Sequence, residues 1–469
     1  MAYIRNEARR NEMRIRVSLL GGRAIEEPGA VGSMSAAAAL WINGGAGGHA
    51  AEAITRYCSM WGMSFDAACG EEATKLDVVS SSAEPGQLAR ALALAALYLG
   101  EPDCETSSFA RFMVRVDRSG KQLVKSLQRS TSRAFTDELF GDGERFRHQE
   151  LTAESTAGLT LEAARDTLLK QLAPENMVVS VAGDFDAAEL EAGLIRFFGT
   201  LQGVGPSREA PVRVDPARLR AAEGVFRDAA ASPTARTGRV FVPDEANRSF
   251  QLIGFPSVGR WGTLSCADGL RLDAATATAA DVPAAAGNGA PYCARMHVSR
   301  CLAVAMDVVQ SRLFQEIREQ RGLVYGISFG WRPFRHIDGG YCTVQLMPKQ
   351  GEEAAALEEV QKALRAVLAE GITDEEFDAA KTPLVTKVEE KLVSNGFMLQ
   401  LLEDLGYPES RKDLSCVRDV PEHYAALTKP QVERAMRECL LPGLDAMVVT
   451  LGVSGESDPA APGADAPAP

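Results

Sequence analysis

Residues 310–329 read QSRLFQEIREQRGLVYGISF and carry more structural information than any other stretch of the chain. Their first half has the periodicity of an amphipathic helix, with an apolar stripe at Leu313, Phe314 and Ile317. Gly322 follows the last periodic residue, where a glycine commonly ends a helix. Beyond it the apolar residues alternate as in a half-buried strand, at Leu323, Tyr325, Ile327 and Phe329. The stretch therefore predicts a helix, a glycine stop and a strand.

The same order of elements is predicted earlier in the chain. There a helix ends at Gly62 and leads into paired strands within 64–80 and a helix at 85–99. In the second half, paired strands within 324–348 and a helix at 352–368 follow the glycine stop. A repeated order of this kind indicates an internal duplication. We therefore predict an α+β fold with two homologous domains, each an antiparallel-rich sheet with helices packed on one face.

Composition places the predicted domain boundaries. The first domain is expected at 12–203, followed by a linker at 204–237 that is rich in Pro, Arg and Ala and shows little periodicity. The second domain is expected at 238–455, with an inserted loop at 257–294 where Ala, Gly and Asp predominate. The tail at 456–469 contains mostly Pro, Ala, Gly and Asp and is predicted to be disordered.

Bulk properties exclude several classes of protein. The chain has 469 residues and a net charge of -13, which argues against a nucleic-acid-binding protein because phosphate neutralisation needs a basic surface. Surplus acid fits either a preference for basic peptides or an ordinary solvated surface. No apolar run of about 18 residues is present, so no transmembrane segment is expected. The nine scattered cysteines include no CxxC pair, which favours a soluble protein in a reducing compartment.

The stretch at 310–329 resembles the C-terminal domain of the pitrilysin/insulinase family of zinc peptidases (inverzincins). In that family the helix carries an arginine and the next strand a tyrosine, which correspond here to Arg318 and Tyr325. Further similar segments are VVSVAGDFD at 178–186, GITDEEFDAAK at 371–381 and NGFMLQLL at 395–402. The resemblance implies that Arg318 and Tyr325 bind the substrate, since both side chains can donate hydrogen bonds to a peptide carbonyl oxygen.

Active members of this family carry His-x-x-Glu-His on the helix after the first turn, where the two histidines bind zinc and the glutamate acts as general base. The corresponding helix here contains GSMSAAAALWINGG, and its best register places Ser35, Ala38 and Ala39 at the three motif positions. None of these residues suits zinc, and the region of the third ligand, 109–120, offers only Asp117. We therefore expect no metal or other cofactor bound by this chain and no peptidase activity from this chain alone.

The resemblance implies a non-catalytic half or subunit that completes a peptide-binding chamber, with zinc held by a separate catalytic partner. About a dozen residues precede the first predicted strand, which would be consistent with a fragment or a split gene product. The alternative is a structural core-type subunit of a mitochondrial respiratory or processing complex without peptidase activity. Both alternatives allow a mitochondrial or plastid location, and the sequence leaves the compartment open.

Overall fold

Two compact units make up the chain, each assembled from three stretches. The computed structural model describes residues 1–199, 201, 236–266, 269–273, 292–337, 339–406 and 412–458. Unit 1 comprises Met1–Arg118, Leu151–Ala221 and Thr386–Arg418, and unit 2 comprises Ser119–Glu150, Ala222–Val385 and Asp419–Pro469. The predicted continuous domains, 12–203 and 238–455, do not include this exchange of segments. The predicted linker at 204–237 lies outside the described residues except for its last two, as do most of the insertion at 257–294 and the tail beyond 458.

Unit 1 is built on one five-stranded sheet. Its strands are β1 (Ala2–Arg5), β2 (Glu12–Leu20), β3 (Ser64–Cys69), β4 (Ala73–Ser81) and β5 (Met177–Gly183). Its helices are α1 (Ser33–Asn43), α2 (Ala51–Met60), α3 (Gln87–Gly100), α4 (Thr106–Leu123), α6 (Leu161–Gln171) and α7 (Ala187–Phe198), and α4 crosses the unit boundary. The strand order is β1-β5-β2-β4-β3, with β1 parallel to β5 and the other pairs antiparallel.

Unit 2 repeats this arrangement. Its main strands are β6 (Arg236–Pro243), β7 (Arg248–Ser257), β10 (Val324–Pro333), β11 (Gly340–Pro348) and β12 (Val448–Gly455). A separate hairpin pairs β8 (Thr263–Cys266) with β9 (Gly269–Asp273). Its helices are α5 (Leu127–His148), α8 (Ala294–Leu313), α9 (Glu353–Glu370), α10 (Asp374–Leu392), α12 (Val420–Ala426) and α13 (Lys429–Cys439), and α10 continues past the unit boundary.

The two sheets have the same topology. Unit 2 has the order β6-β12-β7-β11-β10, with β6 parallel to β12 and antiparallel pairing elsewhere in the sheet. Each strand of unit 1 thus has a counterpart at the same place in unit 2, since β1 corresponds to β6, β2 to β7 and β5 to β12. The predicted α+β class with two homologous, antiparallel-rich domains is confirmed.

Each sheet buries one face under its helices and carries one further helix on the other face. In unit 2, Ile253 and Phe255 of β7 lie in the core with α8 and α9, while Gly254 between them faces Phe135 of α5. In unit 1 the opposite sheet face is covered by α11 (Asn395–Leu402), which packs on β2 and β5. Helices packed on one face were therefore correctly predicted for the main layer, but α5 and α11 on the opposite faces were not.

Two local features of the structure are not evident from the sequence pattern. The amphipathic pattern at 109–134 indicates one continuous helix, but α4 ends at Leu123 and α5 begins at Leu127. The turn between them closes with a hydrogen bond from Ser126 N to Leu123 O of 3.0 Å, and the Ser126 hydroxyl then accepts from Arg129 N at 3.4 Å as a helix cap. The sequence also gave no sign of β1, because Ala2–Arg5 lacks the apolar alternation of a typical strand.

Candidate functional site

Arg318 lies on a rare type of helix. After α8 the chain continues as a π-helix at Phe314–Gln320, in which Arg321 N donates to Glu316 O at 3.2 Å. Ile317 is fully buried, whereas Arg318 is exposed and its guanidinium lies 4.7 Å from the centroid of the Phe314 ring. The sequence predicted an ordinary α-helix here. Short π-helical segments occur frequently at functional sites, because the wider turn changes the direction of the side chains that follow.

Tyr325 lies on a β-bulge at the start of β10. Val324 pairs with Pro348 and Gly326 pairs with Met347, so Tyr325 is an extra residue on this strand. Its side chain is 68% exposed. The predicted alternation from Leu323 to Phe329 is therefore wrong at Tyr325, since the bulge leaves this side chain exposed and Val324 lies in the core beside Ile327 and Phe329. The glycine stop is confirmed, because Gly322 has a φ of 65°, which few other residues adopt.

A cleft of about 540 Å³ opens beside Tyr325, and all of its lining residues belong to unit 2. It is bounded by the first residues of α5, β7 and β10 and by the last residues of β11. Its polar lining includes Lys125, Gln128, Asn247, Arg248 and Gln350, while Phe250, Met347 and Pro348 supply apolar surface. Arg318 is not among the lining residues. The structure therefore places one of the two predicted substrate-binding residues in a cavity and the other on the exposed helix that precedes it.

The two charged side chains that line this cleft, Lys125 and Arg248, are both positive. Arg248 forms an ion pair with Asp244, whose pKa is lowered by a hydrogen bond from the Ala246 backbone N–H and by Arg248. Lys125 is exposed, and within the described parts of the chain no ion pair holds its ammonium group. None of the residues that line the cleft is Asp or Glu. Glu353 lies just behind the wall and is hydrogen-bonded by the Ser249 hydroxyl.

The zinc-motif positions of the sequence analysis lie on α1. Ser35 is half-buried, and Ala38 and Ala39 are 5% and 7% exposed. Ala39 packs in an apolar cluster with Phe112 and Val116 of α4. In the described residues, no group of His, Cys, Asp and Glu within ligand distance includes a residue of α1 or α4. A hydroxyl and two methyl groups in an apolar setting do not fit a zinc ion, so no catalytic step follows from this helix.

The family model "Peptidase M16 inactive domain" matches residues 158–384, which include Arg318, Tyr325 and most of the cleft. M16 is the pitrilysin/insulinase family. The chain belongs to the M16 peptidase family. Its sequence is 30% identical to the chloroplastic stromal processing peptidase of Pisum sativum over 348 residues, which is 71% of this chain and 26% of the pea protein. The chain thus spans about a quarter of that relative.

Solved structures of M16 proteins share the fold. The peptidase M16 inactive domain from Pseudomonas fluorescens superposes with a TM-score of 0.74 at 20% identity, covering 97% of this chain and 95% of that one. The periplasmic protease PqqL from Escherichia coli gives a TM-score of 0.73 at 12% identity, covering 97% of this chain and 44% of that one. This M16 chain therefore shares the fold of the Pseudomonas fluorescens domain over nearly all of both chains, and it matches less than half of the longer Escherichia coli protease.

The M16 chain also contains a buried histidine network that sequence reasoning missed. His297 of α8 and His423 of α12 are 126 positions apart, yet His297 Nδ1 lies 3.0 Å from His423 Nε2. Arg300 contacts Nδ1 of His423 and can only donate there, so the proton of His423 is on Nε2 and is donated to His297. His297 Nε2 in turn lies 3.7 Å from Cys301 Sγ. His297, His423 and Arg300 are all at most 2% exposed, and this order of donors keeps His423 neutral.

Acidification is expected to destabilise unit 2 through His423. Burial first, and then the positive charge of Arg300, lower the pKa of His423 to about 2. Between that value and its unfolded pKa near 6.5, the unfolded state binds a proton that the folded state does not, so stability falls as the pH falls below 6.5. From pH 7 to pH 5 the loss is roughly 2 kcal/mol. Urea denaturation at both pH values measures it.

A histidine variant separates this effect from the titration of carboxylates. His423→Gln is expected to lose most of the pH dependence between 7 and 5, whereas His49→Gln, at an exposed histidine of unit 1, retains it. An equal pH dependence in all three proteins would contradict the assignment to His423.

Among the described residues, no helix combines the length and the hydropathy that crossing a membrane requires.

Proposed function

We propose that this chain is the non-catalytic half or subunit of an M16 zinc peptidase, which forms one wall of a peptide-binding chamber and contacts the substrate. The observation that carries the proposal is the exposed Tyr325 on a β-bulge at a cleft, inside the stretch matched by the inactive-domain model. The absence of suitable ligands at Ser35, Ala38 and Ala39 supports the same conclusion. Zinc and the general base would then come from a catalytic partner.

Tyr325 and Arg318 suit the binding of a peptide backbone. A phenol and a guanidinium can donate hydrogen bonds to a peptide carbonyl oxygen and to the charge that develops on it during cleavage. Both side chains are exposed, so substrate can reach them without a rearrangement of the core. The name of the pea relative supports an organellar location, which is also part of this proposal.

The test combines this chain with a catalytic M16 half that carries His-x-x-Glu-His and follows cleavage of an unstructured peptide. Tyr325→Phe and Arg318→Ala are each expected to lower kcat/KM at least tenfold, about the effect of one lost hydrogen bond to substrate. The zinc content of the partner should not change. Matched controls are Tyr57→Phe and Arg196→Ala, which alter an exposed tyrosine and an exposed arginine of unit 1.

Three results would overturn the proposal. Stoichiometric zinc and cleavage by this chain alone would show that it has a metal site of its own. Wild-type rates in both Tyr325→Phe and Arg318→Ala would show that neither residue contacts substrate. Co-purification with membrane respiratory subunits, without any effect on a catalytic half, would favour the structural core-type subunit instead.

A further inference from the structure

We infer that the cleft beside Tyr325 binds a carboxylate of the peptide, either an Asp or Glu side chain or a free C-terminus. The inference rests on the proposed function, because it names the class of residue that this wall of the chamber selects. It depends on the size of the cleft, the charges that line it and the donors near them.

The cleft is large enough for a side chain and its flanking backbone. Its volume of about 540 Å³ lies within the usual range for small-ligand pockets, roughly 300–1,000 Å³. Met347 is 43% exposed at its wall, and Phe250 and Pro348 add apolar surface. These groups can contact the methylene carbons of a bound residue, while polar groups are available for its end.

The lining of the cleft differs in charge from the whole chain. The protein carries a net charge of -13, yet the lining of this cleft has two cations and no carboxylate. Lys125 is exposed and has no ion-pair partner in the part of the chain that the structure describes. Arg248 binds Asp244 through Nη2, which leaves further N–H groups of its guanidinium, since that group has five. A bound carboxylate would balance the charge of Lys125.

Neutral donors surround these cations. Tyr325 has a phenolic O–H, and Gln128, Asn247 and Gln350 each have an amide NH₂. Ionised carboxylates only accept hydrogen bonds, and such charge-assisted bonds are about twice as strong as neutral ones. A lysine or arginine side chain of a peptide would lie near the like charges of Lys125 and Arg248, and the lining contains no carboxylate to pair with it. We therefore expect acidic residues to be favoured here, in contrast to the basic peptides that the overall charge suggests.

Peptide binding to the full-length chain tests this inference. Four ten-residue peptides, each labelled at the N-terminus with an uncharged fluorophore, share one neutral sequence: three are C-terminally amidated with Glu, Gln or Lys at the centre, and the fourth has Gln and a free C-terminus. Fluorescence anisotropy at low salt is expected to show the Glu peptide, the free C-terminus peptide or both binding about tenfold more tightly than the amidated Gln peptide, with the Lys peptide weakest. Comparing the Glu and free C-terminus peptides distinguishes the two sources of the carboxylate.

Charge reversal assigns the preference to the cleft. Lys125→Glu is expected to remove the tenfold preference, and the milder Lys125→Gln to reduce it. Lys170→Glu makes the same change of net charge at an exposed lysine of α6 and should leave it intact. Equal binding of the Glu, free C-terminus and amidated Gln peptides, or a preference that survives Lys125→Glu, overturns the inference while leaving the proposed function in place. No binding of any peptide overturns both.

Discussion

Replacing Glu403 with alanine is expected to lower the free energy of unfolding of the chain by about 3 kcal/mol, the effect usual for the removal of one partner from a buried ion pair. Glu403 follows α11 in unit 1, and its side chain is only 3% exposed. It accepts hydrogen bonds from Arg16 Nη1 at 2.6 Å and from Lys75. Both cations project from the sheet face that α11 covers.

Arg16 depends on two carboxylates at once. Its Nε and Nη2 donate to the two oxygens of Asp77, each at 2.6 Å, while Nη1 donates to Glu403. Burial of the guanidinium disfavours its charge, but the bonds and charges of Asp77 and Glu403 outweigh this and raise the pKa of Arg16. Without Glu403, Lys75 can turn towards water. The side chain of Arg16 is only 14% exposed, so its Nη1 loses its carboxylate acceptor while it stays buried. The desolvation of Arg16 then opposes folding.

Urea denaturation measures the loss, because guanidinium chloride would screen the ion pairs. Glu389→Ala removes an exposed glutamate from α10 and is the matched control, with an expected change below 0.5 kcal/mol. Hydrogen exchange shows where stability is lost, since the amides of α11 should exchange faster in the Glu403 variant than in the wild type. A Glu403 variant as stable as the Glu389 variant would show that the ion pairs do not hold this helix.

Local periodicity predicted most elements of the fold. The alternation of Ile15, Val17 and Leu19 indicates the strand found as β2. Thr160 before Leu161 indicates the start of the helix found as α6, and Thr160 Oγ1 accepts from Ala163 N at 3.1 Å. These elements follow from residues near one another in sequence. The positions of α5 and α11 on the opposite sheet faces could not be predicted in this way, because the contacts that hold these helices join residues distant in sequence. Asn395, for example, donates to Glu12 O at 3.2 Å across 383 positions of the chain.

The candidate site was predictable in part. Arg318 and Tyr325 were found through a family motif, and they remain the proposed substrate-binding residues. Their conformations were not predictable, since a π-helix and a β-bulge each add one residue to a regular pattern and leave no distinct periodicity. The cleft was missed as well, because Lys125, Arg248 and Tyr325 lie in three separate stretches of sequence and only the turn between α4 and α5 brings Lys125 to the strands.

Gly452→Ala is expected to destabilise the chain by about 3 kcal/mol, the upper end of the range for overpacking a core. Gly452 lies in β12 beneath α5, and a Cβ atom there would lie 1.9 Å from Thr131 Oγ1 and 2.9 Å from Leu127 Cδ1. Thr131 is fully buried and its hydroxyl donates to Leu127 O at 2.7 Å. The side chain therefore cannot turn aside without losing that bond, so α5 must move away from the sheet.

Gly330→Ala supplies the control, because Gly330 is also a strand glycine of unit 2 without a positive φ. A Cβ atom added there would lie 3.8 Å from Thr343 Oγ1, an ordinary contact. That variant should be as stable as the wild type or slightly more stable, since alanine restricts the unfolded chain.

Combining Gly452→Ala with Thr131→Ala should restore part of the lost stability, because it removes the hydroxyl oxygen at 1.9 Å. Strictly additive effects of the two changes in urea denaturation would contradict a direct contact between α5 and β12 at this position. The outcome also bears on the cleft, because α5 begins at its wall, and a displaced α5 should weaken the peptide binding that depends on Lys125.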